Sequence, residues 1–245
     1  MAIEIALMNA SKVLSDDEVA KSLKALQTQV SRDFATVWGV DATLTFYAQG
    51  KAPRSGSWWL VVLDNSDQAG ALGYHDLTTE GLPLGKVFAA SDKQSGLQWT
   101  VTASHELLEM LVDPDINLTA FVEGPSGRGG RLYAYEVCDA CEADEFGYEV
   151  NGTLVSDFVY PAWFESFRTK GATQFDKQAK IEQPFQLLKG GYIGIYDVTS
   201  GSGWQQITAQ LGPRHRRVRP PVGSRRERRR TPKHDWQRST VKLGK

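Results

Sequence analysis

Cysteine is scarce in this chain: Cys138 and Cys141 are the only two in 245 residues. Two thiols are too few for a disulfide framework. Their C-x-x-C spacing would suit a redox pair only between a strand and a helix, a setting that DACEADEF does not supply. A zinc knuckle would need two further Cys or His close by, and none is near in sequence. They therefore read as reduced thiols in a cytosolic protein. Long apolar runs are missing too. No stretch reaches the ~18 apolar residues that a membrane span requires, so no membrane partner is expected. The opening MAIEIALMNASKV has no basic region followed by a hydrophobic run, which argues against a secretory signal. The expected location is cytoplasmic, with a virion-associated setting as the alternative. There is no internal repeat.

Apolar residues make up 41% of the chain and aromatics 10%, enough for a sizeable core. The net charge of −1 conceals a strong asymmetry. Residues 213–245 hold 13 Lys/Arg against two acids, which leaves 15 basic and 27 acidic residues in 1–212 from totals of 28 and 29. That split predicts an acidic folded body at 1–212, with parts 1–114 and 115–212, and a basic tail at 213–245. The tail has no hydrophobic periodicity and is expected to be disordered unless a partner holds it. Arg225, Arg226, Arg228, Arg229 and Arg230 are its densest cluster. They could bind nucleic acid by counterion release or dock on an acidic partner. Only Trp236 lies near them, so base stacking is not suggested.

Along the body, Ile3, Ile5 and Leu7 alternate as a strand would. Ser15 and Glu18 have capping-box spacing, and Val19, Leu23, Leu26, Val30, Phe34 and Val37 then recur at helical spacing up to Gly39. Leu44, Phe46 and Ala48 alternate again, and the apolar run Trp58 to Leu63 suits a central strand. Ala71 to Tyr74 and Lys86 to Ala89 read as short strands around the loop HDLTTEGLPLG. Further on, residues 115–131 read as irregular and Leu132 to Cys138 as a strand. Tyr148 to Val155 reads as a hairpin turning at Asn151-Gly152. Pro161 to Phe167 suits a short helix. Phe185 to Leu188 and Tyr192 to Tyr196 suit strands, and Gly201 to Gly203 a turn.

The stretch SGLQWTVTASHELLEMLVDP, from Ser95 to Pro114, carries the chemistry. Ser95 and Gln98 have capping-box spacing, and Asp113-Pro114 ends the helix. Within it His105, Glu106 and Glu109 form H-E-x-x-E. Residues four apart share a helix face, so His105 stands beside Glu109. The other side chains are nearly all apolar, as in a helix buried all round. Two carboxylates and a histidine are costly there unless paired or bound to a metal. The alternative is a polar stripe with a satisfied core histidine.

The order strand, helix, strand, strand, edge strand, H-E-x-x-E helix resembles the zincin metallopeptidases, whose familiar string is H-E-x-x-H. Glu109 stands where their second histidine would be. A closer resemblance is to zincin-like proteins of bacteria and phages, and more distantly to plant exordium-type proteins. Their pattern is S-H-E-x-x-E, an acidic or Asn residue with Pro, then E-[IV]-x-D. Here it is carried by Ser104, His105, Glu106, Glu109, Asp113 and Pro114, then by Glu136, Val137 and Asp139. The resemblance covers Ile3 to Phe167.

It implies an α+β, zincin-like fold: a mixed twisted sheet with two main helices, one carrying H-E-x-x-E, then a smaller β-rich part. It also implies a metal-dependent peptidase acting on a peptide or protein substrate. A catalytic zinc wants three protein ligands and an open position. His105 and Glu109 supply two, and Asp139 is the first choice for the third. Glu136 and Glu142 are alternatives as ligand or supporting acceptor, with Asp113 a further candidate. Glu106 would take a proton from the attacking water and pass it to the leaving amine. Tyr135, Tyr148 and His75 are candidate oxyanion donors. Zinc is the expected metal. Calcium is the weaker alternative: Asp113, Asp115 and Asn117 have D-x-D-x-N spacing, but the glycine at the sixth position is missing, and an Asx turn is the better reading. The competing function is a non-catalytic structural or assembly protein on the same scaffold, phage-associated and acting through the basic tail.

Overall fold

The computed structural model describes residues 2–68, 71–125, 127–200 and 203–209. The basic tail and its arginine cluster lie outside them, as do Gly201 and Ser202 of the expected turn. The chain is α+β. Strand β1 (Ile3–Asn9) leads into helix α1 (Asp16–Thr28), a π-helical segment (Gln29–Phe34) and helix α2 (Ala35–Trp38). Then come β2 (Ala42–Tyr47), β3 (Trp58–Leu63), β4 (Gly73–Leu77) and β5 (Pro83–Phe88). Helices α3 (Ala89–Gln94) and α4 (Trp99–Val112) follow. The first sheet has the order β2-β1-β3-β5-β4, with β4 antiparallel to β5 and the other pairs parallel.

Central strands buried on both faces need apolar residues at every position, as Trp58 to Leu63 supplies. On one face Ile5, Leu7, Leu60, Val62 and Val87 pack with α1 and α4 in the main core. On the other, Ala6, Met8, Val61, Leu63, Leu84 and Phe88 form a smaller cluster. Lys86 is buried on that second face, with its Nζ 2.7 Å from both Asp67 Oδ2 and the Tyr74 hydroxyl.

The second part contains β6 (Thr119–Glu123), β7 (Gly130–Ala134), β10 (Tyr192–Asp197) and β11 (Trp204–Thr208) in an antiparallel sheet of order β11-β10-β7-β6. Strands β8 (Tyr148–Val150) and β9 (Thr153–Val155) form a separate hairpin. Its turn residues Asn151 and Gly152 both have positive φ, 51° and 75°, which that dipeptide tolerates. The main core runs from Ile5 to Ile195, so one apolar interior spans both parts.

The capping box at Ser15 forms as the spacing predicts. Glu18 N–H donates to Ser15 Oγ, and Ser15 N–H donates to Glu18 Oε2 at 2.7 Å. Gly39 ends the helix at φ 70°. Between them the helix widens into the π segment, which hydrophobic spacing does not reveal because the buried face continues through Val30 and Phe34.

Six expectations differ from the structure. Most of HDLTTEGLPLG is strand rather than loop: β4 and β5 pair across a tight turn where Thr78 N–H donates to Leu82 O at 2.6 Å. The helix with H-E-x-x-E starts at Trp99 and has no capping box. Its Gln98 N–H donates instead to Asp144 Oδ2 at 2.8 Å, a partner 46 residues away. Residues 115–131 contain β6, whose pairing with β7 comes from register rather than local alternation. The strand expected to reach Cys138 ends at Ala134, and the chain then turns under α4. Phe185 to Leu188 is not a strand, because Phe185 has φ 56° and packs its ring on Tyr133. The helix expected from Pro161 is a single 3-10 turn, Pro161–Phe164.

Asp92, on α3, is fully buried and accepts a hydrogen bond from Thr102 Oγ1 of α4 at 2.9 Å. Burial pushes its carboxyl from an ordinary 3.8 up to about 7, against the Thr102 bond. As pH rises, the unfolded chain releases this proton first. The stabilisation is complete below about 4 and is lost as pH rises through 7. Asp92→Asn keeps the acceptor and cannot ionise. The variant should therefore lose less stability than the wild type between pH 4 and 8, measured by urea unfolding. Equal losses in the two proteins would show that Asp92 carries no proton.

Candidate metal centre

The floor of the site is α4. Residues Ala103 to Leu111 are all buried, so His105, Glu106 and Glu109 lie in the interior. The motif serine acts from the same helix. Ser104 Oγ donates to Gln29 Oε1 at 2.6 Å and accepts from Ser156 N–H at 3.0 Å. Gln29 opens the π segment, and its Nε2 donates to Ser156 O at 2.9 Å. A π segment redirects a side chain without breaking the helix. Here it aims an amide at the back of α4, which joins the long helix, α4 and the segment after β9.

His105 Nε2 lies 3.3 Å from Glu109 Oε2 and 3.2 Å from Asp139 Oδ1. In a tetrahedral site with bonds of ~2.0–2.1 Å, ligand atoms stand roughly 3.3–3.4 Å apart. Both distances from His105 match that spacing, and the ligand atoms of all three side chains chosen from the sequence lie within 4.8 Å of one another, so their donor set fits a divalent metal. Burial alone would lower the His105 pKa, but Glu109 and then Asp139 outweigh it and hold the imidazole well above its ordinary value. A cation would displace that proton, since a ligating histidine is neutral.

Asp139 reaches the site from a 3-10 turn, Asp139–Cys141, after β7. That turn is held from behind. Leu188 N–H donates to Ala140 O at 2.9 Å, and a Cβ on Gly191 would strike the same carbonyl. Glu109 is tied to this segment as well, since its Oε1 accepts from Cys138 N–H at 3.2 Å. Its two oxygens therefore divide their work, Oε1 toward the backbone and Oε2 toward the imidazoles. Both cysteines are free and buried, and burial pushes both thiols well above their ordinary value.

Sequence reasoning placed His75 only among candidate oxyanion donors and assigned it to a loop. It lies on β4, where alternation turns it toward α4. Its Nδ1 is 3.4 Å from Glu106 Oε2 and 3.6 Å from Glu109 Oε2. His75, Glu109 and Glu136 form a second group whose ligand atoms lie within 4.8 Å of one another. The signal that could have found it is the alternation of Tyr74, His75 and Asp76 beside the apolar β5.

Glu106 stands outside both groups, at the β4 side of α4. Gly73 makes room for it: a Cβ there would lie 2.7 Å from Glu106 Oε1 and from Thr102 Cγ2.

The remaining candidates lie elsewhere. Asp113 folds back on its own loop, accepting from Asn117 N–H at 2.9 Å and Leu118 N–H at 3.1 Å; these bonds reach four and five residues on, beyond the two-residue span of the Asx turn expected there. Glu142 caps the 3-10 turn and belongs to neither group. The Tyr148 hydroxyl donates to Asp33 Oδ2 at 3.1 Å and accepts from Gln29 Nε2, on the α1 side of the core. Tyr135 stacks on Phe164 with ring centroids 3.9 Å apart.

Compared with family models, curated proteins and solved structures, the chain matches none of them. Among the described residues, no helix is long and apolar enough to cross a membrane.

Proposed function

We propose that this chain is a zincin-like metallopeptidase in which His105, Glu109 and Asp139 hold a zinc ion. The observation that carries the reading is the convergence of these three buried side chains, two from α4 and one from a turn 30 residues beyond Glu109, within 4.8 Å of one another. The antiparallel edge strand β4 beside α4 supports it, because an edge strand can pair with an extended peptide. When bound, the cation would polarise a peptide carbonyl and make water more acidic. Glu106 accepts the proton from the attacking water and delivers it to the leaving amine. His75 Nδ1 stands 3.4 Å from that carboxylate. Zinc is favoured over calcium by the His105 imidazole, which suits a borderline-soft ion.

One observation favours the non-catalytic reading. His105, the most exposed of the three proposed ligands, is only 8% accessible, and structural metal sites are closed. In that reading the metal fastens α4 to the Asp139 turn, and the role passes to the basic tail.

The test is metal analysis of the purified protein together with hydrolysis of a mixed peptide pool. The expected result is stoichiometric zinc, with cleavage that a chelator removes and zinc restores. A protein without stoichiometric metal would sink the reading. A zinc-loaded protein that cleaves nothing would leave the structural alternative.

A further inference from the structure

The histidine that motif reading left aside points beyond a single cation. We infer that the centre binds two divalent cations bridged by Glu109, one held by His105 and Asp139 and the other by His75 and Glu136. The inference rests on the metal reading above.

The geometry centres on one atom. Glu109 Oε2 lies 3.3 Å from His105 Nε2 and 3.6 Å from His75 Nδ1, so both imidazoles stand within ligand reach of the same oxygen. Each imidazole also has a carboxylate of its own, Asp139 for His105 and Glu136 for His75, and both groups are buried throughout. A carboxylate shared between two histidine–carboxylate pairs is the donor pattern of a two-metal centre.

Charge supports the count. Glu106, Glu109, Glu136 and Asp139 are all buried around the two histidines. With ionised carboxylates and neutral imidazoles, one divalent cation offsets half of this charge and two offset all of it. Uncompensated charge is costly at this depth. The folds of the chain also keep the two positions apart. His75 is fixed by the β4–β5 register, whereas His105 and Asp139 come from α4 and the 3-10 turn. Losing one position therefore need not dismantle the other.

The experiment counts ions on the metal-free full chain titrated with zinc, by native mass spectrometry beside a weak competing chelator that strips exposed carboxylates. Two equivalents are expected for the wild type. His75→Ala and Glu136→Gln, which damage the same position from different elements, should each retain one. His105→Ala should also retain one, so loss of a single ion from either side is the signature. If His75→Ala does not fold, Glu136→Gln carries the same test. One equivalent in the wild type overturns the two-cation centre, and so does a count of two that survives both His75→Ala and Glu136→Gln. Zero equivalents in the wild type would instead remove the metal reading on which it rests.

Discussion

Glu106→Gln should lower peptide hydrolysis by ~10²–10⁴-fold while leaving the fold and the bound zinc in place. The substitution keeps the shape of a side chain that is 5% exposed and stands outside both ligand groups. It removes the carboxylate's charge and with it the ability to take up a proton. Gly73 leaves room for the amide as it does for the carboxylate, since no Cβ intrudes there. An interaction used only in the transition state shows as an equal loss in kcat and kcat/KM. The measurement is steady-state cleavage by zinc-loaded wild type and variant, with metal content and circular dichroism as controls. Undiminished cleavage by the variant would remove Glu106 from the mechanism. A loss that came with a loss of zinc would make it a ligand instead.

The second large effect concerns stability. Glu109 belongs to both ligand groups, and Glu109→Gln retains an acceptor for Cys138 N–H while discarding the charge. Wild-type protein in zinc at 1,000 times its Kd should gain ~4 kcal/mol of stability, because the ion binds the native state alone. For a domain of this size that is a rise of roughly 10 °C in Tm. The variant should show no such rise at the same zinc concentration, and its melting should be indifferent to chelator. Thermal unfolding with zinc and with chelator decides it. A variant that still gains the full increment would place the cation away from Glu109.

Both experiments aim at residues that the sequence made visible for a local reason. The i, i+4 spacing of His105 and Glu109 puts the two on one helix face whatever else the fold does. The apolar residues around them already required a buried helix, and Ala103 to Leu111 are indeed buried. The Ser15 capping box, the Asn151-Gly152 turn and the apolar strand at Trp58 to Leu63 were legible on the same grounds. Each depends on neighbours within a few positions. The motif serine was legible as a letter but not as a contact. Its partners Gln29 and Ser156 are 75 and 52 residues away.

What the sequence by itself determined was therefore the buried H-E-x-x-E helix, while the α+β class and Asp139 as first choice for the carboxylate beside it came through the resemblance that its motifs carry. What only the tertiary structure decided was the second half of the centre. His75 reaches Glu109 because β4 runs antiparallel to β5 and alternation turns one face toward α4. Glu136 reaches it because the chain leaves β7 at Ala134 and passes beneath that helix. Strand register and chain crossing join residues far apart in sequence, and a one-residue slip would turn His75 to the opposite face. Local spacing carries no record of such a choice. The packing of the sheet on α4 makes it.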